Sequence, residues 1–255
     1  MVISFTPVRQ NPEVLKLFLQ RLNVQGCESW FYDDNDNEKS TLQLQDWTVL
    51  PPTGIANTTD YRRGVISHTW SGNSVGRVAG MKNYAIDQFL KTDASHLFLV
   101  DSDVILLPGT VDHLLSLDVP VVSSVYWSRW QPTQPYMPNV WDSGHYDFHS
   151  GASLTRLAAP GHYEVGGLGA CTLIERSVLE RVRFEPVPNF PMWGEDRWFC
   201  MRAGVLGIPL LADACLTPWH VYRDTDLPTG QGWNVAAAEA WKSENLGPKW
   251  AAQFR

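Results

Sequence analysis

Short apolar runs alternate with amphipathic stretches through the first half of the chain. Val2–Phe5 is an apolar run halted at Thr6-Pro7, which reads as a strand followed by a loop. Asn11-Pro12-Glu13 then offers an N-cap, a first-turn proline and a first-turn acid, and the apolar spacing as far as Leu22 is helical. Glu28–Tyr32 reads as a second strand ending in the acidic loop Asp33–Asn37. Residues 40–72 are polar and marked by proline and glycine, with a short strand at Trp47–Leu50. From Val75 to Leu90, the positions Val78, Met81, Ala85, Ile86, Phe89 and Leu90 make one apolar helical face.

His96–Val100 is continuous in apolar residues, as suits a central strand covered on both faces. It runs directly into Asp101-Ser102-Asp103. Pro108 and Gly109 follow, then a helix over Thr110–Leu117 and a strand over Pro120–Val125. Residues 126–165 are rich in Trp, Tyr, Pro, Gly and His without a clear period, which reads as long substrate-side loops with room for a hairpin. Gly166-Gly167-Leu168-Gly169 leads into apolar Ala170–Ile174, and Ser177–Val182 is helical in pattern. Trp193-Gly194-Glu195-Asp196 opens a helix through Arg202, Gly207–Leu211 is a further short strand, and Val235–Ser243 is a helix. This alternation predicts an α/β fold with a largely parallel sheet flanked by helices. The expected organisation is one domain over 1–255, with halves at 1–125 and 126–222 and a helical tail at 223–255.

Composition narrows the function. The chain is 44% hydrophobic and 18% charged, so a packed core is expected. A net charge of −7 argues against a dominant surface for nucleic-acid phosphates. Four cysteines lie far apart with no C-x-x-C pair, a pattern that suits a reducing compartment and lacks zinc-finger spacing. The first residues read as a strand and not as a signal peptide, and no apolar run approaches the roughly 20 residues that span a bilayer. A cytoplasmic protein is therefore expected. Twelve Trp and eight Tyr supply rings that suit sugars and bases as well as core packing.

Two carboxylates at i and i+2, just past a buried strand, call for a chemical reading. On a continuing strand they point the same way, at the edge where open α/β sheets bind ligands. Hard oxygens of this kind suit Mg²⁺ or Mn²⁺ together with substrate phosphates. By itself the tripeptide is also an ordinary capped loop.

The order of motifs adds more. Gly76-Arg77 through Lys82-Asn83, then His96–Val100 and Asp101-Ser102-Asp103, then Gly166–Ala170, Gly194-Glu195-Asp196 and His220, resembles the inverting family-2 glycosyltransferases and their GT-A relatives. The resemblance covers most of residues 1–222. It implies a GT-A fold in which the loop around Thr6, Pro7 and Arg9 holds the nucleotide of a nucleotide-diphosphate sugar. Asp33 or Asp34 would accept hydrogen bonds from base or ribose, although such Asp-Asn clusters are also common turn formers. Arg77 and Lys82 lie five apart and point in different directions on a helix, so one of them would reach the diphosphate.

Asp101 and Ser102 would then face the ribose or the ion, with Asp101, Asp103 and His220 as ligands of Mn²⁺ or Mg²⁺. Asp196, or its neighbour Glu195, would serve as the base toward an acceptor hydroxyl, unless both merely cap the following helix. Trp127, Trp130, Tyr136 and Trp141 would stack on the acceptor, be it a glycan, a protein, a small molecule or a modified nucleic-acid base. Two rival readings are a nucleotidyltransferase, which normally shows a glycine-rich signature after its first strand, and a non-catalytic sugar- or nucleotide-binding protein.

Overall fold

The computed structural model describes residues 1–53, 72–129, 131, 133–142, 150–189 and 194–254. Trp130 and Trp193 therefore lie outside the described residues, as does most of the polar stretch that follows position 53. At the centre is an eight-stranded sheet in the order His162–Glu164, Leu211–Asp213, Val121–Ser124, Thr172–Glu175, His96–Leu99, Val2–Val8, Glu28–Asp33 and Thr48–Val49. Val2–Val8 pairs in parallel with both Glu28–Asp33 and His96–Leu99. Thr172–Glu175 runs antiparallel between His96–Leu99 and Val121–Ser124, and His162–Glu164 is the antiparallel edge. The chain is thus a mixed α/β protein whose central sheet is mostly parallel, with helices on both faces.

Local chemistry accounts for several of these elements. Asn11 accepts a hydrogen bond from the Glu13 N–H at 2.9 Å, and the helix Pro12–Leu22 buries Val14, Leu15, Phe18 and Leu22. On the opposite face the helix Gly72–Phe89 buries Val75, Ala79, Met81, Ala85, Ile86 and Phe89. Each large apolar side chain so removed from water contributes about 1.5–3 kcal/mol. These two helices seed two apolar clusters, one on each face of the sheet.

The structure corrects the expectations for these elements in two places. The stretch 126–165 is more ordered than a set of loops. Ser150 accepts from the Ser153 N–H and caps the helix Gly151–Ala158, which buries Leu154 and Leu157. Trp127–Ser128 pairs with Met137–Pro138, and Val140–Trp141 pairs with Gly167–Leu168. The strand expected at Gly207–Leu211 begins only at Leu211, because Gly207 takes a left-handed φ of 69° at the end of the preceding helix. The helical stretch after position 222 packs onto the rest of the chain: Trp233 is buried against Trp219, and Trp250 packs edge-on against Trp127. No helix among the described residues is long and apolar enough to cross a membrane.

Candidate functional site at the carboxyl edge of the sheet

The strands Val2–Val8, Glu28–Asp33, His96–Leu99 and Val121–Ser124 all end on one edge of the sheet. There the Val100 N–H still bonds to the Phe5 carbonyl, but the chain then turns, and the Val104 N–H donates to the Asp101 carbonyl at 3.1 Å. Asp101 and Asp103 therefore flank a turn and do not continue the strand. The next residues, Val104–Ile105, pair antiparallel with Trp219–His220, so that His220 lies opposite Val104. This register carries His220 Nε2 to 3.5 Å from Asp103 Oδ2. Ser128 Oγ lies 2.7 Å from His220 Nδ1 and fixes the ring from behind, while the Tyr126 ring stands 5.0 Å away.

The electrostatics of this cluster favour positive charge. Burial, then the neighbouring Asp103 and Glu195 carboxylates, push Asp101 up to about 6 in spite of Lys82. Burial works against protonation of His220, yet Asp103 and Asp101 outweigh it and raise its pKa. Burial and the same acids hold the Tyr126 phenol protonated. The structure thus sets the His220 imidazole against Asp103, with Asp101 close enough to act on both electrostatically.

A second charged cluster abuts the first. Gly194, at φ 124°, supplies a backbone bend that an L side chain rarely adopts, and it opens the helix Glu195–Val205. The first turn presents Glu195 and Asp196 to Lys82, whose Nζ lies 2.6 Å from Glu195 Oε1 and 2.7 Å from Asp196 Oδ1. Lys82 is only 2% exposed. Burial disfavours its charge, but Asp196, Glu195 and Asp101 more than restore it. Burial, with Glu195 and Asp101 adding to it, brings Asp196 up to about 7 against the pull of Lys82. Its side chain is 26% exposed where that of Glu195 is 8% exposed. Lys82 is thus committed to the acid pair, and contact with a diphosphate is not what this geometry provides.

Arg77 points the other way, as its five-residue offset from Lys82 predicts. Its guanidinium pairs with Asp34, with Nε at 3.1 Å from Oδ1. Arg9 lies beside the same loop, 3.6 Å from Asp36 and 4.0 Å from Asp34. Asp33 caps the turn, accepting from both the backbone and the side-chain nitrogen of Asn35. Thr6 and Pro7 correct the expectation of a loop: both lie within Val2–Val8, and Thr6 is fully buried. The parallel ladder with Glu28–Asp33 runs on as far as Val8, so the loop starts only at Arg9.

Of the aromatic residues expected to meet an acceptor, Trp127 is a core residue at 3% exposure. Tyr136 lies under the Arg129 guanidinium and edge-on to Trp241. Trp141 is partly buried, with Arg197 over its ring at 5.2 Å. It closes over Gly167, where a Cβ would come within 2.0 Å of the indole. Tyr126 and Ser128 are site residues that sequence reasoning missed. Their signal was an alternating Ser124-x-Tyr126-x-Ser128 beyond a strand whose end lies beside Asp101.

A cleft of about 450 Å³ lies at the other end of the central strands, lined by Ser95, His96, Asp118, Glu175 and Arg176. There Arg176 donates to the carbonyls of Ala94 and Thr92, a structural task that leaves the cleft without converging chemistry. The carboxyl edge, by contrast, gathers Asp101, Asp103, Asp196 and His220. No protein-family model and no curated protein matches the chain.

Proposed function

We propose that the protein is a metal-dependent glycosyltransferase of GT-A type, moving a sugar from a nucleotide-diphosphate sugar to an acceptor hydroxyl with inversion. The observation that carries this reading is the convergence of Asp101, Asp103 and His220 at the carboxyl edge of a mostly parallel sheet, with Asp196 beside them. Asp103, His220 and Asp101 would hold Mn²⁺ or Mg²⁺, which supplies charge neutralisation for a departing nucleoside diphosphate. Asp34, Arg77 and Arg9, together at the end of the neighbouring strand, are suited to the base, ribose or phosphates of the donor.

Asp196 acts as the base. Lys82 grips its Oδ1 and leaves a partly exposed carboxylate poised near neutrality, where proton transfer is most effective. The acceptor oxygen bonds to the anomeric carbon, the bond to the diphosphate breaks, and the acceptor proton passes to Asp196. Glu195 is the buried anchor that helps Lys82 orient this group. Four free cysteines agree with action in the cytoplasm.

The test is incubation with UDP-, GDP-, CDP- and TDP-sugars with Mn²⁺, following release of nucleoside diphosphate. Release that requires metal and vanishes in Asp103→Ala and Asp196→Asn supports the assignment. Tight binding of a nucleotide-sugar without turnover, unaltered by Asp103→Ala, means a binding protein. Release of pyrophosphate from a nucleotide triphosphate means a nucleotidyltransferase.

A further inference from the structure

Away from this site, four residues of metal-ligating chemistry meet at the antiparallel edge of the sheet. His162 and Asp213 are direct cross-strand partners in the pairing of His162–Glu164 with Leu211–Asp213. Cys215 follows two residues on, and His113 projects from the helix Thr110–Ser116. His113 Nε2 lies 3.1 Å and His162 Nε2 3.3 Å from the same oxygen, Asp213 Oδ1. Cys215 Sγ lies 3.7 Å from His162 Nε2, and the four ligand atoms all fall within 4.8 Å of one another.

We propose that His113, His162, Asp213 and Cys215 form a structural zinc site, independent of the glycosyltransferase assignment. Two imidazoles, a thiolate and a carboxylate are a complete four-ligand set for a tetrahedral Zn²⁺. A tetrahedron with bonds of about 2.0–2.3 Å has edges of about 3.3–3.8 Å, so the side chains need shift by less than about 1 Å. The carboxylate is already fixed: Asp213 is fully buried and accepts from the backbone N–H groups of Cys215 at 3.2 Å and Leu216 at 3.3 Å. His162 is 42% exposed, which opens a route from solvent.

Imidazole and thiolate ligands select zinc here, whereas the oxygen-rich set at Asp101 and Asp103 suits harder ions. On binding, a Zn–S bond replaces the Cys215 S–H bond and the proton leaves to solvent. The ion would tie an edge strand to the helix Thr110–Ser116 and to the chain after Asp213. The spacing of the four residues matches no zinc-finger pattern, because they come from three separate segments.

The experiment is a metal titration of the full chain after removal of metals by a chelator. Co²⁺ is expected to give the intense visible bands of a tetrahedral site and a thiolate charge-transfer band. Zn²⁺ should displace it at one equivalent, with a dissociation constant below about 1 µM in competition with a chromophoric chelator. Cys215→Ser should abolish the charge-transfer band, and Cys215→Ser and His162→Asn should each weaken zinc binding by about tenfold or more. Asp103→Ala should leave both readouts unchanged. Absence of the tetrahedral cobalt spectrum, or zinc binding undiminished in the combined Cys215→Ser and His162→Asn variant, overturns the proposal. His162 and Cys215 are both solvent-accessible, and circular dichroism of each variant verifies that the fold is retained.

Discussion

Two charged clusters share the carboxyl edge of the sheet, and they resolve the cost of buried charge differently. Around Lys82 the problem is solved from within: one ammonium is enclosed by the carboxylates of Glu195 and Asp196 at hydrogen-bonding distance. Around Asp101 and Asp103 the partners come from different elements: His220, tethered by Ser128, lies 3.5 Å from Asp103, and Lys82 acts on Asp101 from the first cluster. The first arrangement is that of a structural keystone, which also holds the carboxylate of Asp196, the base of the proposed reaction. Each cluster holds one carboxylate whose pKa burial raises, Asp196 to about 7 in the first and Asp101 to about 6 in the second. Closeness to one sheet edge is therefore not enough to define a role; what separates the clusters is the partner, an ammonium held by two acids in one and an imidazole against an acid in the other.

The largest expected effect breaks the first cluster. Lys82→Met leaves Glu195 and the partly buried Asp196 without their cation and should lower stability by about 3–5 kcal/mol in denaturant unfolding. Next comes Asp103→Ala, which should reduce transfer by about 100-fold or more while leaving the unfolding midpoint close to that of the parent. If the two substitutions have the same profile, the distinction between keystone and site is wrong.

Ser128→Ala should be smaller again. Loss of the hydroxyl behind His220 Nδ1 should weaken Mn²⁺ binding by about tenfold, with little change in stability. The smallest effect is one of pH. Asp101 is pushed up to about 6 from its ordinary value of 3.8, and it must lose its proton to meet an ion. Mn²⁺ affinity should accordingly rise as pH increases through about 6, and go on rising as His220, whose pKa is raised from 6.5, also gives up its proton. Affinity that falls over that interval contradicts the assignment of Asp101.

What was legible in the sequence was mostly what is decided locally. Asn11-Pro12-Glu13 determines where a helix begins, and the unbroken apolar run from His96 marks a strand buried on both faces. The antiparallel insertion of Thr172–Glu175 was not legible, because strand direction depends on partners distant in sequence. The same holds for function. Asp101-Ser102-Asp103 and His220 stood out as candidates from the order of motifs, but the pairing of Val104 with His220 that sets the imidazole beside Asp103 is a tertiary fact.

Lys82 shows the converse. Its place on the helix left open whether it or Arg77 meets a phosphate, while a partner more than a hundred residues away draws it to the acid pair. Thr6 looked like the start of a loop because Pro7 follows it, yet a proline is compatible with a strand when its neighbours complete the ladder. The cluster of His113, His162, Asp213 and Cys215 left no signal at all, since its members share no period and no spacing.

The most direct test of the central claim is Mn²⁺ binding, followed by electron paramagnetic resonance, in the Cys215→Ser background so that the edge cluster does not contribute. One bound Mn²⁺ is expected, whose signal broadens when the correct nucleotide-sugar is added and which is lost in Asp103→Ala. Mn²⁺ binding unchanged by Asp103→Ala, or a bound ion indifferent to every nucleotide-sugar tried, would contradict it.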